Sequence, residues 1–253
     1  MDGLILGLDL CDGYTQLSCW GREENWTLPT AVCRQKDGGW LIGETAYATA
    51  LAGEGSVTDK LIRLVLQDGS DTIYGVKYRA VDLLKCFLEQ VFSLPLEEGK
   101  TVDGSMVKEL VITVPKMKAR LMDGLMYCAD QLKIPRSHVH VISHTEAFMY
   151  FVLSQTRDVW SNHVGLFDLS EKCLCYYEMK VQKNMGQVTA VAEREKLEEG
   201  FALDILSAPQ GVKLADKILC SCGERLLEKK LFSSVFLTGK GFETQQWAGE
   251  FMK

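Results

Sequence analysis

The sequence has no basic surplus. Its 253 residues carry 28 lysines and arginines against 34 aspartates and glutamates, for a net charge of -6. A general nucleic-acid binder needs a basic stripe, so no nucleic-acid partner is expected. No apolar run approaches the ~20 residues of a membrane span, so no membrane partner is expected either. Met1-Asp2-Gly3 lacks the basic start of a secretory leader, and the apolar run that follows breaks at Asp9. These absences predict a cytoplasmic protein. Histidine is scarce, with four residues, and none stands at ligand spacing from the nine cysteines. The close cysteine pairs, Cys173-Leu174-Cys175 and Cys220-Ser221-Cys222, have one intervening residue, where zinc pairs usually have about two to four. An odd, scattered set of thiols reads as reduced, partly buried and intracellular. Cysteines two apart on a strand share a face, which suits core packing as well as metal binding.

What is present is ordinary globular material. The sequence is 47% hydrophobic and 25% charged, near globular averages. It is long enough to bury a core without disulfides or metal, and a prior of roughly 100–200 residues per domain allows one large domain or two modest lobes. Leu4 to Leu10 is an apolar run with an acid near its end, followed by Asp12-Gly13, a tight-turn signal, and a returning strand from Tyr14 to Trp20. Leu28 to Cys33 reads as one strand, Trp40 to Gly43 as another, and Glu44 to Leu51 as an alanine-rich helix. Asp59 to Gln67 offers a short apolar face. Val81, Leu84, Leu88 and Val91 recur at helical spacing and predict a helix over Tyr78 to Phe92. Leu96 to Ser105 reads as a loop and Glu109 to Pro115 as a buried strand. Lys118 to Leu132 reads as a helix, Val139 to Ile142 as a strand, and Thr145 to Gln155 as an aromatic-rich helix whose Phe148, Tyr150 and Phe151 suit a core.

The opening pattern then returns. His163 to Leu169 is again an apolar strand ending in Asp-Leu, Ser170-Glu171-Lys172 is its turn, and strands follow over Cys173 to Lys180 and Val188 to Glu195. Helices are expected at Phe201 to Leu206 and Leu214 to Lys230, and a last strand at Val235 to Gly239. The charge run from Glu193 to Glu199 reads as a solvated face. Such a repeat near the midpoint predicts two structurally equivalent lobes, 1–157 with a small insertion near 28–80, and 158–253.

Several segments resemble the actin, DnaK-type chaperone and sugar-kinase superfamily, most closely the nucleotide-binding domain of the seventy-kilodalton heat-shock chaperones. Leu6-Gly7-Leu8-Asp9-Leu10-Cys11-Asp12-Gly13-Tyr14-Thr15 is similar to their first phosphate loop, I-G-I-D-L-G-T-T-Y-S. Leu28-Pro29-Thr30-Ala31-Val32 and Leu41-Ile42-Gly43-Glu44-Thr45-Ala46 are similar to T-P-S-Y-V and L-I-G-D-A-A. Val57 to Ile62 resembles V-F-D-A-K-R-L-I, and Leu110 to Pro115 resembles A-V-I-T-V-P. Leu166-Phe167-Asp168-Leu169 resembles the start of the second phosphate loop, F-D-L-G-G-G-T, and Leu237 to Phe242 resembles the adenosine motif. The resemblance spans nearly the whole chain in the family's order. It implies an α/β fold, a ribonuclease-H-like duplication with two lobes across a nucleotide-sized cleft, here without the large insertion of the second lobe. Only about thirty residues separate Asp204 from Val235, and the sequence given ends at Phe251-Met252-Lys253, partway through the helix expected after the adenosine strand.

The resemblance also assigns roles. Asp9 and Asp168 are the catalytic acids that position hydrated magnesium and the attacking water, and Lys60 is the lysine on the γ-phosphate side. Gly13, Tyr14, Thr15, Lys172, Gly239 and Gly241 fall at cofactor-binding positions for ATP or ADP with magnesium. Phosphate loops use glycine because backbone N–H groups must come close to anionic oxygens, and phosphoryl transfer is mostly positioning and electrostatics. This sequence departs from that pattern. Cys11 stands where the first loop has glycine, Asp12 adds a negative charge, and Ser170, Glu171 and Lys172 replace three glycines. A like-charge pair ~4 Å apart costs roughly 4 kcal/mol at an effective dielectric of ~20 before screening, and Lys172 offsets one such charge. His144 falls where the chaperones carry a hinge carboxylate; as a plain structural residue it would simply start a helix. Asp9 and Asp168 read equally as strand-ending acids that cap turns, and Lys60 as a solvated helix position. The expectation is a chaperone-ATPase-like protein with degenerate phosphate loops and weak or no hydrolysis, acting as a binding or scaffold module for an unknown protein partner, with no cofactor. The alternatives are an active magnesium-dependent ATPase and a filament-forming actin-like protein.

Overall fold

The structure, a computed structural model, describes residues 3–97, 99–170, 172–184, 187–206, 208–228, 231–243 and 249. Among the positions singled out above, Met1, Asp2, Glu171, Lys230 and Phe251-Met252-Lys253 lie outside that set. The protein is mixed α/β and divides into two units, Met1–His144 and Thr145–Lys253.

In the first unit, β1 (Leu4–Leu10) and β2 (Tyr14–Cys19) form the expected hairpin, and β3 (Asn25–Pro29) extends it as a meander. Period-two alternation buries Leu6, Leu8 and Leu10 on one face of β1 and turns Asp9 to the other. The run Leu28 to Cys33 is two strands rather than one. At Thr30-Ala31 the chain leaves the meander and enters a smaller sheet of β4 (Val32–Gln35), β5 (Trp40–Ile42) and β6 (Gly55–Thr58), against which α1 (Gly43–Leu51) packs. After α2 (Leu61–Leu66), a hairpin of β7 (Ser70–Ile73) and β8 (Val76–Arg79) precedes α3 (Ala80–Ser93). The α3 helix therefore starts two residues later than its apolar period suggests, because Tyr78 pairs with Asp71 across that hairpin.

β9 (Val107–Val114), α4 (Ala119–Gln131) and β10 (Val139–Ser143) complete the unit. β9 runs parallel to β1, and β10 parallel to β9, giving the order β10-β9-β1-β2-β3. Parallel neighbours need long crossovers, and α3 and α4 lie within them. Leu83, Leu84, Phe87, Leu88, Val91 and Phe92 of α3 join Leu121 and Leu125 of α4 and the buried strand leucines in one core. Burying each such side chain contributes roughly 1.5–3 kcal/mol, which outweighs any local preference of these segments.

In the second unit, α5 (His144–Leu153), whose first residue belongs to the first unit, precedes β11 (His163–Leu169), β12 (Cys173–Asn184) and β13 (Gln187–Glu199). Then come α6 (Leu203–Leu206), α7 (Val212–Glu228), β14 (Phe232–Thr238) and α8 (Lys240–Glu243). The sheet order is β13-β12-β11-β14, with β14 parallel to β11, and β13 is its outermost strand among the described residues. Both faces of this sheet are covered. Leu174 and Tyr176 point to a cluster with Ile218 and Cys222 of α7, while Cys175, Tyr177 and Met179 point to one with Phe148 and Val152 of α5. Of the aromatic trio in α5 only Phe148 is core; Tyr150 is 56% and Phe151 46% exposed.

Candidate functional site

Three parallel strands of the first unit end at one level. Thr113 of β9 is in register with Asp9 of β1 on one side and with Ile142 of β10 on the other. His144 follows two residues after Ile142, as the first residue of α5. The parallel ladder thus brings residues over 100 positions apart to one edge, the carboxyl end of the strands, where ligands of open α/β sheets sit. There His144 Nε2 lies 2.7 Å from Asp9 Oδ1, and Thr113 Oγ1 donates to the same oxygen at 2.8 Å. The Cys11 sulfur lies 3.8 Å from His144 Nε2 and 4.0 Å from Asp9 Oδ1. The Asp9 side chain is 45% exposed and that of His144 16%, so the group opens to solvent on its acid side.

A nucleophilic relay of cysteine, histidine and acid uses both ring nitrogens, one toward the thiol and one toward the carboxylate. Here thiol and carboxylate both meet Nε2. The three side chains converge on a common point, with ligand atoms all within 4.8 Å of one another.

The turn beside this cluster is held from below. Cys11 N–H donates to the Tyr14 carbonyl at 3.2 Å and Thr30 N–H to the Gly13 carbonyl at 2.9 Å. Thr30 Oγ1 donates to the Cys11 carbonyl at 2.7 Å and lies 2.7 Å from Thr15 Oγ1, with both threonines essentially fully buried. The Thr15 hydroxyl, expected at a phosphate, is therefore committed inside. Neither Asp12 nor Gly13 adopts positive φ, so the Asp-Gly turn takes its shape from these anchors rather than from the mirror-image turn its sequence favours.

Asp12 does not stand as an uncompensated charge. Its Oδ1 accepts Arg63 N–H of α2 at 3.1 Å, and its Oδ2 lies 3.7 Å from Arg63 Nε. That contact ties the start of α2, and exposed Lys60 just before it, to the hairpin turn. Lys60 itself is left-handed, with φ 55 and ψ 41, a conformation costing ~1–3 kcal/mol for a residue with a Cβ.

In the second unit, Asp168 is in register with Thr238, and Gly239 follows with φ +90. A Cβ on Gly239 would lie 2.4 Å from Asp168 Oδ1 and 2.6 Å from the Leu169 carbonyl, and one on Gly241 would lie 2.4 Å from Leu169 Cγ. Asp168, Gly239 and Gly241 thus share one corner. Lys172 is exposed, and its carbonyl accepts Gly200 N–H at 2.9 Å. Ser170 Oγ, one of the glycine replacements, donates to the Cys173 carbonyl at 3.1 Å and lies 3.0 Å from Cys173 Sγ.

A further group was only half legible. Cys173 and Cys175 share a face of β12, as their spacing predicts, with sulfurs 3.7 Å apart. Arg194, from the run read as solvated, turns inward, with Nη2 3.0 Å from Cys175 Sγ and Nε 3.0 Å from Tyr177 Oη. The hydrogen bond from Cys175 holds the Cys173 thiol down, to about 6, with Ser170, Arg194 and Lys196 acting in the same sense against its partial burial. The same hydrogen bond and burial push Cys175 up, so ionisation of the pair is favoured at Cys173. All nine cysteines stand outside disulfides. Cys220 is exposed and Cys222 buried, because two residues apart on a helix do not share a face.

His144, Thr113 and Arg194 are the partners that sequence reasoning did not assign. The one signal for His144 was its place at a carboxylate position of the resembled family. The C-terminal model of a family of unknown function, DUF5716, matches residues 13–253. No curated protein matches the chain.

Proposed function

We propose, for a chain that belongs to the DUF5716 C-terminal family of unknown function, a chaperone-ATPase-like protein of the actin/DnaK type whose phosphate loops no longer serve hydrolysis, acting as a binding or scaffold module. Two features support the ancestry. Each unit carries an antiparallel three-strand meander whose first strand also pairs in parallel with a later strand, β1 with β9 and β11 with β14. In each, an acid stands near the end of that first strand, Asp9 or Asp168. A duplicated ribonuclease-H-like fold accounts for both.

The loss of hydrolysis rests on one observation: Asp9 Oδ1 already accepts from His144 and Thr113. Hydrated magnesium would have to displace an imidazole donor there, beside a thiol where the resembled loop has glycine. The experiment is calorimetric titration with magnesium and ATP, backed by a thermal shift. The expected result is no heat of binding and no shift. Saturation at a hundred times the dissociation constant adds roughly 2.7 kcal/mol of apparent stability, and a shift of that size with ATP refutes the reading. The active-ATPase alternative draws on the corner where Gly239 admits the Asp168 carboxylate. It requires turnover that collapses in Asp9→Ala and in Asp168→Ala.

A further inference from the structure

Asp9, Cys11 and His144 offer one carboxylate oxygen, one sulfur and one imidazole nitrogen, all within 4.8 Å of one another. A tetrahedral zinc has bonds of about 2.3 Å to sulfur and about 2.0–2.2 Å to nitrogen or oxygen. At the tetrahedral angle, those lengths separate sulfur from nitrogen or oxygen by about 3.6 Å, and nitrogen from oxygen by about 3.4 Å. The sulfur distances here are 3.8 Å to His144 Nε2 and 4.0 Å to Asp9 Oδ1, a few tenths of an ångström from that geometry. The nitrogen–oxygen distance, 2.7 Å, is a hydrogen bond that must open by under an ångström to admit an ion.

The surroundings favour such a site. Thr113 Oγ1 orients the Asp9 carboxylate at 2.8 Å, as outer-shell donors commonly orient ligands. The Cys11 backbone is fixed by Thr30 and Tyr14. The His144 side chain is only 16% exposed. Magnesium does not suit this donor set, since it selects six oxygens in near-octahedral array. Thiolate and imidazole select zinc and its neighbours.

We propose that Asp9, Cys11 and His144 form a zinc site with three protein ligands and a fourth position open to solvent. On binding, the Cys11 thiol proton passes to solvent, and the ring proton of His144 resides on Nδ1, leaving Nε2 to coordinate. The inference uses the first unit alone and stands whether or not the chain has nucleotide-binding ancestry.

The test strips the whole chain with a chelator, reloads it with zinc chloride, and measures bound metal by atomic emission and affinity by competition with a chromophoric chelator. The expected result is about one zinc per chain, weakened at least about tenfold in Cys11→Ser and in His144→Ala. Cys173→Ser and Cys220→Ser, which remove other accessible thiols, are expected to leave binding unchanged. Zinc retained at full affinity in both Cys11→Ser and His144→Ala, or lost in Cys173→Ser, overturns the proposal. Where a variant fails to fold by circular dichroism, cobalt chloride on the unaltered protein decides. A thiolate-to-cobalt charge-transfer band with tetrahedral d–d absorption supports the site, and its absence overturns it. Neither outcome bears on magnesium-ATP titration, so the two readings fail separately.

Discussion

The threonine pair beneath the first turn gives a sharp test of how the site is built. Thr30 Oγ1 donates its one proton to the Cys11 carbonyl, so in the contact with Thr15 it can only accept, and Thr15 must be the donor. Thr30→Val keeps the shape and removes both bonds. It leaves the Thr15 hydroxyl without its acceptor and removes the Thr30 bond to the Cys11 carbonyl, at a site where both threonines are at most 1% exposed. A buried polar group left unpaired costs ~1–3 kcal/mol and a lost hydrogen bond about 1 kcal/mol, so Thr30→Val is expected to cost roughly 2–4 kcal/mol in all. Thr15→Val removes only a donor to Thr30, which retains its bond to Cys11, and is expected to cost about 1 kcal/mol. In the double variant the orphaned Thr15 hydroxyl is gone. Thr15→Val is therefore expected to be neutral or stabilising in the Thr30→Val background, a coupling of about 1–2 kcal/mol. Urea denaturation followed by circular dichroism measures this as midpoint shifts at unchanged slope. With a slope of about 2 kcal/mol/M, Thr30→Val lowers the midpoint by roughly 1–2 M. If Thr15→Val costs as much in the Thr30→Val background as in the unaltered protein, the assignment of donor and acceptor is wrong.

Gly239→Ala places a Cβ 2.4 Å from Asp168 Oδ1 on a backbone at φ +90, combining left-handed strain of ~1–2 kcal/mol with displacement of the carboxylate. Calorimetry should show the melting temperature falling by several degrees, at ~2–4 °C per kcal/mol, and an unchanged value would refute the close packing of that corner. Cys173, held to about 6, is expected to react with iodoacetamide at a rate that rises to a plateau with a midpoint near that pH. Cys128 and Cys222, pushed up to about 12 by burial, should stay unmodified in the folded chain. Because the folded Cys173 thiol lies below its unfolded value of about 8.5, its stabilising contribution is full above that pH and is lost as pH falls through about 6. Mass spectrometry across pH 5–9 reads the profile, and a midpoint near 8.5 would refute the lowering at Cys173.

The strands that carry the site were legible because each is a dense apolar run ending in a polar signal, as in Leu4 to Asp9 and His163 to Asp168. Alternation alone also set Asp9 on the face opposite Leu8 and Leu10. The break between β3 and β4 was not legible, since Leu28 to Cys33 is one continuous run, and Thr30 divides it by donating to the carbonyls of Gly13 and Cys11, far upstream. The hairpin of β7 and β8 was missed for a local reason. Its two-residue turn needs positive φ at both positions, supplied at Tyr74 (φ 50) and Gly75 (φ 78), and tyrosine gives no signal for that conformation. The meeting of Asp9 with His144 depends on strand order and parallel register, which no window of sequence contains. The inward turn of Arg194 was hidden by its acidic neighbours, which make the segment read as uniformly solvated.

The outermost strand β13 bears on how copies of this protein behave when crowded together. A strand at the border of a sheet, as this thirteen-residue one is among the described residues, is a template onto which another polypeptide can add. Here that border is studded with Glu193, Glu195, Lys196 and Glu199, of which Glu195 is bound to Arg225 and Glu199 to Lys196. Charged side chains along a border strand disfavour the addition of another strand, since their hydration and pairing are disturbed by it. The longest strand among the described residues thus carries its own deterrent to sticking along its flank, in the form of charge.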